Sequence, residues 1–96
     1  MIEVVETSVF ARWFERLRDR EARARIAIRI RRMSLGNFGS SRAVGSGVEE
    51  LKIDWGPGYR VYFVRRGAAL VVLLAGGDKR TQRQDIARAI ELARTL

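Results

Sequence analysis

Residues 50–63, ELKIDWGPGYRVYF, alternate charged and apolar side chains before a Gly-Pro-Gly sequence and set Arg60 and Tyr62 between apolar residues after it. Successive side chains of a strand point to opposite faces, so this pattern predicts two antiparallel strands folded back through a tight turn. Leu51, Ile53 and Trp55 share one face with Val61 and Phe63; Glu50, Lys52, Asp54, Arg60 and Tyr62 share the other. A slip by one residue would expose the apolar set, which fixes the parity of the pairing. A three-residue turn at Gly56-Pro57-Gly58 places Asp54 opposite Arg60 and Lys52 opposite Tyr62. The polar face then has two readings. It is either cross-strand pairing on a solvated surface, worth about 0.2–1 kcal/mol for Asp54–Arg60, or a set of charges arranged to handle a phosphate.

The remaining elements follow from periodicity. Residues 2–6 read as a short first strand. Thr7 or Ser8 caps a helix whose apolar positions Val9, Phe10, Trp13, Phe14 and Leu17 recur at helical spacing. That spacing marks the aromatics as core rather than as a stacking platform. Asp19 caps a second helix built on Ala22, Ile26, Ile30 and Met33, and the very short connection predicts an antiparallel helical hairpin. Residues 35–47, rich in Gly and Ser, read as a loop. Strands are predicted at 48–55, 59–65 and 69–75, the last apolar on both faces and therefore interior. Thr81 with Gln84 makes a capping-box pattern for a last helix lined by Ile86, Ala89, Ile90 and Ala93. The order β-α-α-β-β-β-α predicts a single α+β domain over 1–96, with the helices packed on one face of a four-stranded, mostly antiparallel sheet.

Composition limits the chemistry. Nineteen Lys+Arg against eleven Asp+Glu give a net charge of +8, mostly from arginine. A small protein so charged attracts polyanions such as nucleic acid, the ribosome or an acidic partner. With no histidine and no cysteine there is no His-based nuclease pair, thiol nucleophile or zinc site, and no cofactor or metal is expected. The lack of cysteine fits a reducing cytoplasm. No segment approaches the ~20 apolar residues that cross a bilayer, and MIEVVET lacks the pattern of a signal peptide. The arginines at 20, 23, 25, 29, 31 and 32 nearly surround the stripe of the second helix. They read as a solvated face whose long stems cover apolar surface, or as a docking face for RNA or an acidic partner.

The third motif is GGDKR, residues 76–80, whose paired glycines let the backbone turn closely, against a ligand in one reading. Together, ELKIDWGPGYRVYF and LLAGGDKRTQRQDIARA resemble the RelE/ParE superfamily of type II toxins, and most of all its HigB-like addiction-module killer branch. The likeness includes the early Phe-x-x-Trp helix and runs nearly the whole length. Members either cleave mRNA on the ribosome or poison DNA gyrase. The resemblance implies a toxin held inactive by a cognate antitoxin, here a helix-turn-helix protein. In RNA-cleaving members, basic residues act on the scissile phosphate; the matching positions are Lys52, Arg60, Lys79 and Arg80. No tyrosine or histidine follows Arg80, where some relatives place an aromatic or acid-base residue, so the general acid has no counterpart.

The chemistry such a site requires is modest. RNA carries its own nucleophile, the 2′-OH, and the enzyme aligns it and stabilises the developing charge. Guanidinium groups at Arg60 and Arg80 suit that role. Lys52, set among cations, is the candidate base, because like charges favour its neutral form. Tyr62 is the nearest neutral group for proton transfer, or else a packed strand aromatic. Asp78 caps its turn or orients Lys79, and Glu50 reads as a partner for a neighbouring cation. Two other readings stand beside the nuclease: a gyrase poison without RNA chemistry, and a nucleic-acid-binding module without turnover.

Overall fold

The hairpin forms as the alternation dictates. In the computed structural model, which describes residues 1–96, β3 (Val48–Ile53) pairs antiparallel with β4 (Tyr59–Arg66). The parity is as expected, but the register is displaced by two residues: Lys52 lies opposite Arg60 and Glu50 opposite Tyr62. The cause is the turn, which occupies 54–58 rather than three residues. Trp55 N–H donates to the Ile53 carbonyl at 2.9 Å and Gly58 N–H to the Trp55 carbonyl at 3.1 Å. Gly56 and Gly58 supply the positive φ angles, 57° and 78°, that this path needs. Trp55 thus leaves the strand. Its indole Nε1 donates to Asp19 at 3.0 Å beneath the Arg25 guanidinium, 4.1 Å from the ring centre.

A fifth strand corrects the four-stranded expectation. β2 (Ser41–Gly45) lies within the stretch read as a loop and pairs antiparallel with β3, Arg42 opposite Glu50. The connection is the two-residue turn Ser46-Gly47, with φ of 54° and 81°, the left-handed pair that a tight hairpin of matching twist requires. β5 (Leu70–Gly77) pairs antiparallel with β4, and the edge strand β1 (Glu3–Glu6) runs parallel to β5. The order is β1-β5-β4-β3-β2, so β5 is interior as its two apolar faces predicted.

Helices cover both faces, not one. α1 (Ser8–Arg16) starts at Thr7, whose side chain accepts from Phe10 N–H; α2 (Arg20–Ser34) starts at Asp19, which accepts from Glu21 and Ala22 N–H. Phe10, Ile26 and Met33 from these helices close over Leu51, Ile53, Val61, Phe63, Val71 and Leu73. α3 (Gln82–Arg94) lies on the opposite face, where Ala89 and Ala93 meet Val48, Tyr62, Val64, Val72 and Leu74. A strand apolar on both faces must be covered twice, and α3 is the only element left to cover the second side. Its capping box does not form: Thr81 makes no side-chain cap, and its hydroxyl bonds Asp85 instead. No helix is long and apolar enough to cross a membrane.

The paired glycines end β5, and what approaches them closely is the protein itself. A Cβ on Gly76 would overlap the Trp13 indole from α1; one on Gly77 would overlap the Asp85 carboxylate from α3. They are therefore packing positions on opposite faces of one strand. Gly76→Ala is expected to lower stability by about 1–3 kcal/mol, the usual cost of overfilling a packed site. Urea unfolding against the parent measures it, and an unchanged midpoint would contradict this packing.

Candidate functional site

The polar face of the hairpin ends in a basin of about 300 Å3, with no apolar residue among those lining it. Lys52 comes from β3, Arg60 from β4, Arg42 from β2 and Arg29 from α2; Ser40, Asp54 and Gln82 complete the rim, with Glu50 below. Four cations face two carboxylates. The basin exists because β2 extends the sheet on one side while the start of α3 closes the other.

Glu50 organises it. The carboxylate is only 3% exposed and receives four groups. Gln82 Nε2 donates at 2.8 Å, Arg42 Nε at 3.0 Å and the Tyr62 hydroxyl at 3.1 Å, and Arg60 Nε stands 3.7 Å away. Burial pushes the Glu50 carboxyl up, but the hydrogen bonds from Gln82, Arg42 and Tyr62, with the charge of Arg42, outweigh it and hold the group below its usual range. Burial acts on Tyr62 as well, and with the adjacent Glu50 charge drives its phenol far above the ordinary value. Tyr62 is fully buried and its proton is committed to Glu50. The expectation that Glu50 partners cations is met by Arg42 and Arg60.

Arg60 is the unusual member. The side chain is buried to 6% exposure, one terminal nitrogen donates to the Gly58 carbonyl, and its Nε has no hydrogen-bond partner. That Nε is closed off from solvent and stands 3.7 Å from the Glu50 carboxylate, so it is held loosely by the buried charge, while the guanidinium as a whole lines the basin and lends it positive charge. Lys52 sits at the rim with its side chain 52% exposed and its ammonium 3.4 Å from Asp54. A carboxylate thus balances the cations around it.

Lys79 and Arg80 do not line this basin. They lie on a single 3-10 turn, Lys79–Thr81, between β5 and α3. Lys79 N–H reaches the Pro57 carbonyl at 3.4 Å, which ties that turn to the hairpin loop. Arg80 pairs with Asp78 at 3.3 Å, and Asp78 caps the turn by accepting from Arg80 N–H at 2.9 Å. Sequence reasoning missed Arg42, Arg29, Ser40 and Gln82 as members of the site. Arg42 carried a weak signal, since the Ser46-Gly47 pair after its segment suits a tight hairpin turn; Arg29, one of many arginines on its helix, carried none.

These features define a small α+β protein with helices on both faces of a mixed sheet and a cationic, internally buttressed basin that can hold an anion. The chain belongs to the phage-derived Gp49-like (DUF891) family, which it matches over residues 12–96, a toxin-like family related to RelE/ParE-type addiction modules. An uncharacterized protein of Haemophilus influenzae is 45% identical to it over 95 residues, covering 99% of this chain and 96% of that one.

Proposed function

We propose that this chain is the toxin of a type II toxin–antitoxin pair, a HigB-like member of the RelE/ParE superfamily that cleaves mRNA on the ribosome. The observation that carries the reading is the convergence of Arg60, Arg42, Arg29 and Lys52 on one open polar basin, with the Arg60 guanidinium fixed at its base by the Gly58 carbonyl and the Glu50 carboxylate. In the reaction, the 2′-oxygen of RNA bonds to the adjoining phosphorus and the bond to the 5′-oxygen breaks. Negative charge grows on the phosphoryl oxygens, and preorganised guanidinium donors stabilise it most where the site is dry and fixed. Arg60 is the fixed donor; Arg42 and Arg29 add charge at the rim. Lys52, half-exposed beside Asp54, adds its ammonium charge to the phosphoryl oxygens, while the proton of the 2′-OH passes to water in the open basin and water returns one to the departing 5′-oxygen. Tyr62 works through Glu50, keeping the carboxylate that positions Arg60 in place. Lys79 and Arg80 flank the basin and meet the RNA strand beyond the cut. The cationic surface is masked, in this reading, by an antitoxin of the helix-turn-helix class.

Controlled expression of the parent beside Lys52→Ala, with mapping of mRNA 5′ ends, tests it. New ends within coding regions are expected for the parent and a strong reduction for the variant. Growth arrest without new ends would end the nuclease reading, and inhibition of purified gyrase in a supercoiling assay would replace it with the gyrase-poison one.

A further inference from the structure

A second cleft, of about 350 Å3, opens between α1 and α3 over the end of β5. Its floor is the backbone of Ala75–Gly77 with the Trp13 indole beside it, close-packed because Gly76 has no side chain. Arg12 and Arg16 stand one turn apart on α1, and Arg88 comes from α3. None of the three takes part in any of the structure's ion pairs. Of the two carboxylates in the cleft, Asp78 holds Arg80 at 3.3 Å, and Asp85 accepts from the Thr81 hydroxyl and also faces the charge of Arg88. Three guanidinium groups against one carboxylate not held in an ion pair therefore converge from two helices, an excess of positive charge.

The cleft and the first basin share a wall. Asp78 and Thr81 line the cleft, and Gln82, the next residue, lines the basin. Lys79 and Arg80 stand exposed on that wall between them. Cations thus stand in the basin, on the 3-10 turn and in the cleft, with Asp78 paired to Arg80 on the wall between. A single small anion needs one pocket; a path of this kind suits a string of phosphates, which guanidinium groups grip in bidentate fashion.

We propose that the α1–α3 cleft holds backbone phosphates of the same RNA strand whose cleavage site lies in the Arg60 basin. The inference rests on the RNA-cleaving reading and adds a second contact zone, with Arg12, Arg16 and Arg88 as its phosphate ligands and Lys79 and Arg80 as the bridge.

The test is fluorescence anisotropy with labelled 2′-O-methyl oligomers, which cannot be cut, in two lengths: a trinucleotide that fills only the basin and a pentadecanucleotide that reaches both zones. The parent is compared with an Arg12→Ala/Arg16→Ala/Arg88→Ala variant. All three side chains are exposed, so circular dichroism melting should coincide and confirm folding. The variant should bind the long oligomer about tenfold more weakly, and its salt slope should fall by about 2, since each lost phosphate contact on a single strand removes about 0.7. Binding of the trinucleotide should not change. Equal affinities and slopes for the long oligomer overturn the proposal while leaving the basin reading intact. So does a calorimetric site for inorganic phosphate that the variant loses without losing RNA affinity, because the cleft then takes a free anion. A parent that binds neither oligomer overturns the cleft proposal, while the cleavage reading stands or falls on the mapped mRNA 5′ ends.

Discussion

Replacing Glu50 with alanine should cost the fold about 3–5 kcal/mol, the penalty for removing one partner of a buried ion pair and stranding the other. The carboxylate is the common acceptor for Gln82, Arg42 and Tyr62 and the nearest counter-charge to the buried Arg60. Without it a guanidinium and a phenol hydroxyl remain inside the protein, each with unsatisfied donors. At about 4–8 °C of melting temperature per kcal/mol for a domain of this size, the change lowers the thermal midpoint well beyond experimental scatter. Glu50→Gln keeps the shape and an acceptor oxygen but removes the charge, so it should fall between parent and Glu50→Ala. The pH dependence follows from the same contacts. The folded-state carboxyl of Glu50 titrates below its unfolded value of about 4.5. Its contribution is therefore complete above that pH and is lost as the pH falls through the lower, folded value. The gap between parent and Glu50→Ala in urea midpoints should be constant from neutrality down to that point and narrow in more acid solution. A gap that persists unchanged into strong acid would show that packing, not charge, stabilises the site.

What the sequence made legible was parity. Strict alternation placed Glu50, Lys52, Arg60 and Tyr62 on one face, and they share it, because a change of parity would have exposed Leu51 and Phe63. Register was not legible, since it depends on turn length, and Trp55 leaves the strand to bond Asp19, a contact across 36 positions of chain. The strand β2 was hidden for a different reason. Its glycines and serines have the composition of a loop, yet Ser46-Gly47 is itself a hairpin signal of the kind that Gly-Pro-Gly so plainly announced. Missing β2 and placing all helices on one face had a joint effect. Glu50, Arg60 and Tyr62 were placed on an outer face read either as solvated pairing or as a phosphate site, whereas α3 and β2 enclose them. The burial that turns a row of charges into a basin was thus a tertiary property, carried by Ala89 and Ala93 of α3 rather than by the charged residues themselves.

Arg60→Ala should slow RNA cleavage by about 10²–10³-fold, the loss typical when one preorganised donor to a developing oxyanion is removed. Stability will change too, because Glu50 loses a counter-charge, but less than for Glu50→Ala: the carboxylate keeps its bonds from Gln82, Arg42 and Tyr62 and remains paired. The two substitutions should therefore separate. Glu50→Ala is the larger in unfolding, and Arg60→Ala is the larger in rate for protein that is demonstrably folded at the assay temperature. Arg60→Lys refines the test. A lysine ammonium restores the charge but not the planar fork, and it cannot place one nitrogen on Gly58 while presenting another to a phosphate. Its cleavage rate should lie well below the parent's and above that of Arg60→Ala. If Arg60→Lys cuts at the parental rate, charge alone suffices and the fixed geometry around Gly58 has no catalytic role. If folded Arg60→Ala also cuts at that rate, the Arg60 guanidinium faces no substrate, and the basin is a stabilising network and not a site of reaction. A double-mutant cycle with Glu50→Gln then measures the link between the two residues. Strong coupling in rate is expected, because Glu50 acts on the phosphate only by holding the Arg60 guanidinium at the base of the basin.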